Sequence, residues 1–165
     1  RQIDTVSVLS NSTGSFIWKW GRDKLSHQHD ARYLTNGMVQ IFDNGAHRKG
    51  MSFSRILWVD PETDSITREY KTDPIEEFYS FHISGAELLP SGNIFITEGA
   101  SGRLFEITIE GDVVWEYINP YFTRSRNGFS NSIFKAHRYH SDYMGLRNRN
   151  LNPESDALFT RMYIS

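Results

Sequence analysis

Residues 31–45, ARYLTNGMVQIFDNG, and residues 54–70, SRILWVDPETDSITREY, decide the fold, because both stretches return later in the chain. Residues 86–100 read AELLPSGNIFITEGA and residues 102–117 read GRLFEITIEGDVVWEY. Leu34, Gly37, Val39 and Ile41 pair with Leu89, Gly92, Ile94 and Ile96. Arg55, Val59, Ile66 and Tyr70 pair with Arg103, Ile107, Val113 and Tyr117. A partial third copy stands upstream, where residues 13–20, TGSFIWKW, match residues 110–117, EGDVVWEY. Trp18, Arg68 and Trp115 thereby mark a period of roughly 47–50 residues, the length at which propeller arrays are found.

Each copy reads as antiparallel strands. Asn36-Gly37, Ser91-Gly92 and Glu110-Gly111 separate short runs rich in Val, Ile, Phe, Trp and Tyr, which is a hairpin signature. Asp60-Pro61-Glu62-Thr63 supplies another turn, with Pro61 setting φ in advance. A unit then holds about four strands, which fits a propeller blade, and no long window carries a helical stripe. The fold class expected is all-β, a β-propeller with an irregular C-terminal tail.

Residues 1–21, 22–71 and 72–120 supply the expected blade pieces, about two and a half in number, and residues 121–165 an irregular extension packed on them. A propeller closes with roughly 4–8 blades, and an open arc exposes strand edges and blade faces. The chain therefore reads as the C-terminal part of a longer protein, its arc completed by remaining blades or a partner chain. Completion by a homodimer is the alternative.

A hydrophobic fraction of 38% with 14% aromatics over 165 residues is enough to build a core. The formal net charge of −2 argues against a nucleic-acid surface. With no cysteine, disulfides report nothing about the compartment. No run approaches the ~18 apolar residues of a membrane span.

Polar residues that interrupt the repeat are the candidates for chemistry. The densest excess lies in residues 25–31, LSHQHDA, and residues 42–50, FDNGAHRKG, where the later copy has only TEGASGR. Loops at one end of a propeller converge on its channel, so His27, His29, Asn44, His47 and Arg48 are candidates for one cavity. Imidazoles, an amide and a guanidinium fork suit an oxyanion. Against this, Asp43-Asn44-Gly45 is an ordinary turn, and His-Arg-Lys in a loop is commonly solvated. His27 and His29 share a strand face and invite a metal, but no spacing elsewhere supplies the further ligands zinc needs, so none is assigned. His82, in EFYSFHISGAELL, begins the second unit much as His29 begins the first. A packed core histidine is the competing reading there.

The run QHDARYL, FDNGAHRKG, SRILWVDPETDSI, EFYSFHISGAELL, SGRLFEIT, GDVVWEYINPYF and FKAHRY resembles the arylsulfotransferase family, whose known fold is a six-bladed propeller. The resemblance implies transfer of a sulfuryl group from an aryl sulfate to a phenolic acceptor, without a nucleotide cofactor, through a sulfated histidine. It implies that His29 is an active-site histidine, that Arg48 binds sulfate, and that Asn44 supports the substrate; His27, from the same polar loop, is read as substrate-binding beside them. The nucleophile corresponds either to His82 or to the His-free stretch Ile96 to Arg103, and a further histidine would precede Arg1. The resemblance also implies export to a periplasmic or extracellular compartment. The alternative function is a non-catalytic propeller serving as scaffold or ligand-binding subunit of an assembly.

Overall fold

A computed structural model describes residues 3–125 and 128–152 of the chain. Strands β1 (Val6–Leu9) and β2 (Phe16–Trp20) pair as a two-stranded first sheet. Strands β3 (His29–Tyr33), β4 (Val39–Asp43), β5 (Arg55–Asp60) and β6 (Ser65–Tyr70) form a second sheet. Strands β7 (Gly85–Leu88), β8 (Ile94–Glu98), β9 (Arg103–Ile107) and β10 (Val113–Ile118) form a third. A hairpin of β11 (Thr123–Ser125) and β12 (Gly128–Ser130) follows. All pairings are antiparallel between neighbours in sequence, and the described residues contain no α-helix. The chain is all-β, and its sheets do not close on themselves.

The repeat is physical as well as textual. Leu34 N–H donates to Met38 O and Gly37 N–H to Leu34 O, at 2.8 and 3.0 Å. In the third sheet Leu89 donates to Asn93 and Gly92 to Leu89, at 2.8 and 2.9 Å. Gly37 and Gly92 sit at φ +86° and +88°, a region closed to most side chains, so the turn chemistry fixes both hairpins.

Alternation of side chains across each strand gives the four-stranded sheets two faces, and the sheets stack through them. Val39, Ile41, Leu57 and Val59 of the second sheet pack with Val6 and Trp20 of the first. Its opposite face, with Phe42, Ile56, Trp58 and Tyr70, packs with Ile94, Ile96, Phe105 and Ile107 of the third. Phe78, fully buried, joins that core, its ring 5.6 Å from Phe42, 5.8 Å from Tyr70 and 5.6 Å from Phe105. Aromatic pairs in such edge-on and tilted arrangements add to burial energy.

A hydrogen-bonded latch accompanies each sheet boundary. Trp18 and Trp20 donate their indole N–H groups to the carboxylate and carbonyl of Asp64, in the β5–β6 turn, at 2.8 and 3.0 Å. Arg68, at the repeat position of Trp18, donates to the carbonyl of Ile109 in the β9–β10 turn. The third occurrence of that position, Trp115, stacks with Tyr117 at 6.3 Å, as Trp18 does with Trp20 at 6.4 Å. Charge repeats too. Arg55 bridges Asp43 and Glu69, each at 2.8 Å, and Arg103 bridges Glu98 and Glu116, at 3.1 and 2.6 Å.

The described tail is fastened to the third sheet. The amides of Asn119 and Asn131 donate to each other's backbone carbonyls at 2.9 and 3.0 Å. Ile133 N–H donates to Gly99 O at 2.9 Å, and Ala136 N–H to Thr97 Oγ1 at 3.2 Å. His137 and Arg138 pair with Glu87 and Glu106 of the third sheet, and Lys135 reaches Asp30 of the second. Residues 153–165 of the expected extension lie outside the described residues.

Candidate functional site

Two loops meet beyond the β3–β4 end of the second sheet, and Ser26 ties them together. Its N–H donates to Asp43 Oδ1, its hydroxyl accepts His47 N–H, and its carbonyl accepts Gly45 N–H, each at 2.7 Å. Gly45 is required here twice over. Its φ is +79°, and a Cβ would lie 1.9 Å from the carbonyl oxygen of Phe53. This closure brings imidazoles together: the His27 ring lies 5.5 Å from that of His29 and 4.9 Å from that of His47. His27 itself is held at φ +65°, with its N–H on the Asp4 carboxylate at 2.7 Å.

Asn44 is fully buried and its side chain is engaged at both ends. Its Nδ2 donates to the carbonyls of Ser80 and Ile83 at 2.7 and 3.0 Å, while Oδ1 faces His29 Nδ1 at 2.6 Å. One amide therefore couples the His29 strand to the turn that carries His82. That turn is stiff. Ile83 and Ser84 lie at φ +52° and +85°, strained values for a β-branched residue and for serine. Ser84 Oγ bonds Ser80 Oγ at 2.7 Å, and both hydroxyls accept backbone N–H groups, from Gly99 and Ala100, at 2.9 Å. The His82 ring stacks on Phe81 at 4.1 Å.

Asp43, wholly buried, organises the cationic side. Its Oδ2 accepts Arg48 Nη2 at 2.9 Å and Arg55 Nε at 2.8 Å. Burial works against the charge of Arg55, but the hydrogen bonds it donates to Glu69 and Asp43 outweigh it and raise its pKa. The Arg48 guanidinium also lies over the Phe53 ring at 4.2 Å, and its buried Nε meets no acceptor among the described residues. Arg48 is thus fixed by Asp43 on one side and Phe53 on the other while part of its side chain stays exposed.

The structure brings His27, His29, Asn44 and His47 into one cluster, with Arg48 on the same loop as Asn44 and His47. The backbone on either side of His82 bonds Asn44, while the His82 ring itself is packed on Phe81. Counting back from Ala31 and Ala86, His82 corresponds to His27 and Ser84 to His29, a shift of two from the sequence-based equivalence. Among the described residues no group of three or more His, Asp or Glu side chains is arranged to hold a metal ion. Sequence reading passed over Asp43, Ser26 and Ser80. For Asp43 a signal existed, since the other copy places an acid, Glu98, at the same position.

Two cavities lie elsewhere. One of about 660 Å³ borders the first sheet, among Phe16, Lys19, Trp20, Arg22 and Lys24. Another of about 300 Å³ lies between the β7–β8 hairpin and residues 138–141. The second cavity carries Arg138, Tyr139 and His140 on its wall, but Arg138 is paired with Glu106 and His140 with Asp142, so the histidine cluster, with three imidazoles together, is the better candidate on chemistry. No helix among the described residues is long and apolar enough to cross a membrane.

The sequence profile of a family described as Arylsulfotransferase (ASST) matches residues 1–120. Among curated proteins none matches the chain. A crystal structure of a protein of unknown function from Bacteroides caccae is similar, with a TM-score of 0.52 and 22% identity, over 69% of this chain. The chain spans 42% of that protein's length.

Proposed function

The chain belongs to the arylsulfotransferase family, and on that premise we propose that its stacked sheets are blades of a six-bladed β-propeller whose histidine cluster transfers sulfuryl groups between phenols. The observation that carries the reading is the His29–Asn44 pair set beside His27, His47 and the Asp43-anchored Arg48. Sulfuryl transfer resembles phosphoryl transfer, in that charge spreads over peripheral oxygens and catalysis is chiefly positioning and electrostatics.

In the first step an imidazole nitrogen forms an N–S bond to the aryl sulfate as the S–O bond to the aryl group breaks. The electron pair leaves on the phenolate oxygen, which takes a proton from a second histidine. In the return step the acceptor phenol oxygen forms a bond to sulfur, gives its proton to that same base, and the N–S bond breaks. Arg48 holds the sulfuryl oxygens throughout. The candidate for the attacking histidine is His82, with His29 as the second active-site histidine and His27 lining the substrate. Remaining blades, from a longer polypeptide or a second copy, complete the channel, and the expected compartment is periplasmic or extracellular.

A scaffold reading is favoured by one observation, the partly exposed aromatic pair Trp115 and Tyr117, each 39% exposed. The discriminating experiment incubates the protein, in its complete natural polypeptide, with p-nitrophenyl sulfate and a phenol acceptor. Release of p-nitrophenolate with a histidine peptide heavier by one sulfuryl group supports the enzyme. Neither signal, with a stable partner on the Trp115 face, supports the scaffold.

A further inference from the structure

We propose that Asn44 is a positioning residue that locks His29 in the tautomer with the proton on Nδ1, leaving Nε2 as the nitrogen that carries the lone pair. The argument turns on which end of the amide faces the ring. The Asn44 nitrogen is committed to two carbonyl oxygens, Ser80 O at 2.7 Å and Ile83 O at 3.0 Å. Carbonyls only accept, so the atom facing both must be the NH₂ group, and its two hydrogens match the two acceptors. The end facing His29 Nδ1 at 2.6 Å is then the amide oxygen. An amide oxygen also only accepts, so His29 Nδ1 must donate. In a neutral imidazole the other nitrogen is then the unprotonated one.

Several features keep the amide from turning over. Asn44 is fully buried. A flipped amide would set its oxygen against two carbonyl oxygens in a dry interior, where unpaired polar groups are costly. The carbonyls themselves are fixed, since they belong to the strained turn at Ile83 and Ser84, and Ser80 is further bound to Ser54 and Ser84. The Asn44 backbone is held in turn, its carbonyl accepting the Ser54 hydroxyl at 3.0 Å. The same amide that reads as substrate support in the sequence has all three side-chain hydrogen bonds directed inward. Its effect on a substrate is exerted through the His29 ring.

The tautomer follows from hydrogen bonding alone. Its consequence, that Nε2 of His29 accepts the proton of the acceptor phenol, rests on the sulfuryl-transfer reading. The test therefore uses two separable readouts on the full chain. Long-range ¹H–¹⁵N NMR of ¹⁵N-labelled protein, with His29 assigned by its loss in His29→Gln, is recorded at a pH where the ring is neutral. The expected spectrum shows a proton-bearing Nδ1 and a lone-pair Nε2. A proton-bearing Nε2, or an averaged mixture, overturns the proposal whatever the activity. Asn44→Ala should convert the signal to an averaged mixture and lower kcat on p-nitrophenyl sulfate by about 10²-fold with KM within about twofold. An unchanged His29 spectrum in that variant also overturns the proposal. If the variant does not fold, the wild-type spectrum still decides. The expected tautomer in a protein without sulfuryl-transfer activity sinks the functional reading and leaves this one standing.

Discussion

Trp18 and Asp64, forty-six residues apart in sequence, are joined by an indole N–H to carboxylate bond of 2.8 Å that crosses from the first sheet to the second. The backbone carbonyl of Asp64 takes the neighbouring indole of Trp20 at 3.0 Å. One turn residue therefore receives both members of a stacked tryptophan pair. The same relation, with arginine as donor, links Arg68 to Ile109 at the next boundary. Trp18→Phe keeps the stack and deletes the bond, and should lower stability by about 1 kcal/mol. A double-mutant cycle with Asp64→Ala, read from urea denaturation, should return a coupling of similar size. Strict additivity of the two single variants would show that the latch does not hold the sheets.

Gln40 is fully buried on β4, and neither end of its amide has a partner among the described residues. The matching position in the third sheet holds Phe95. Gln40→Leu removes an unsatisfied polar group from the core and should raise stability by about 1–2 kcal/mol, read as a higher Tm. A lower Tm would mean that something other than protein satisfies the amide.

Acid sensitivity should centre on Glu69. Burial disfavours its charge, but hydrogen bonds from Arg55 and Lys71 outweigh it and hold its carboxyl below the usual range. A group with a lowered folded pKa contributes stability above its unfolded pKa, about 4.3 for glutamate. That contribution fades as pH falls through the folded value. Tm should drop on acidification below about pH 4.3, and Glu69→Gln should show a shallower drop. Glu98 works in the opposite sense. Burial raises its pKa despite Arg103, so its contribution is complete below the unfolded pKa and is lost as pH rises through the folded one. Equal acid slopes in wild type and Glu69→Gln would contradict this assignment.

Arg48→Lys keeps a positive charge but not the planar fork shared between Asp43 and Phe53. On an aryl sulfate it should lose activity nearly as far as Arg48→Ala, by about 10²–10³ in kcat/KM. Full activity of the lysine variant would show that Arg48 acts only as a diffuse charge.

Gly45→Ala should be among the most damaging single-methyl changes in the chain. It combines a left-handed backbone position with a Cβ driven into the Phe53 carbonyl. The expected loss is about 1–3 kcal/mol from backbone strain alone, accompanied by release of Ser26 from Gly45 N–H. Wild-type Tm in this variant would show that the loop can yield without cost.

The amino-acid sequence by itself determined the strands, their hairpins and the period of the array. Those features depend on local rules: alternation across a pleat, glycine at positive φ, and apolar residues recurring at fixed spacing. The same local reading picked out the His-rich and Asn-Gly loops, since they break a pattern the other copy keeps. What only the tertiary structure decided is which polar groups meet. Asp43 looked like a turn residue, yet in the fold its carboxylate fixes two arginines and a backbone N–H. Asn44 bonds to carbonyls 36 and 39 residues away. Hydrogen bonds between loops of different sheets depend on how the sheets stack, and stacking is set by packing of both faces together, which no local pattern encodes.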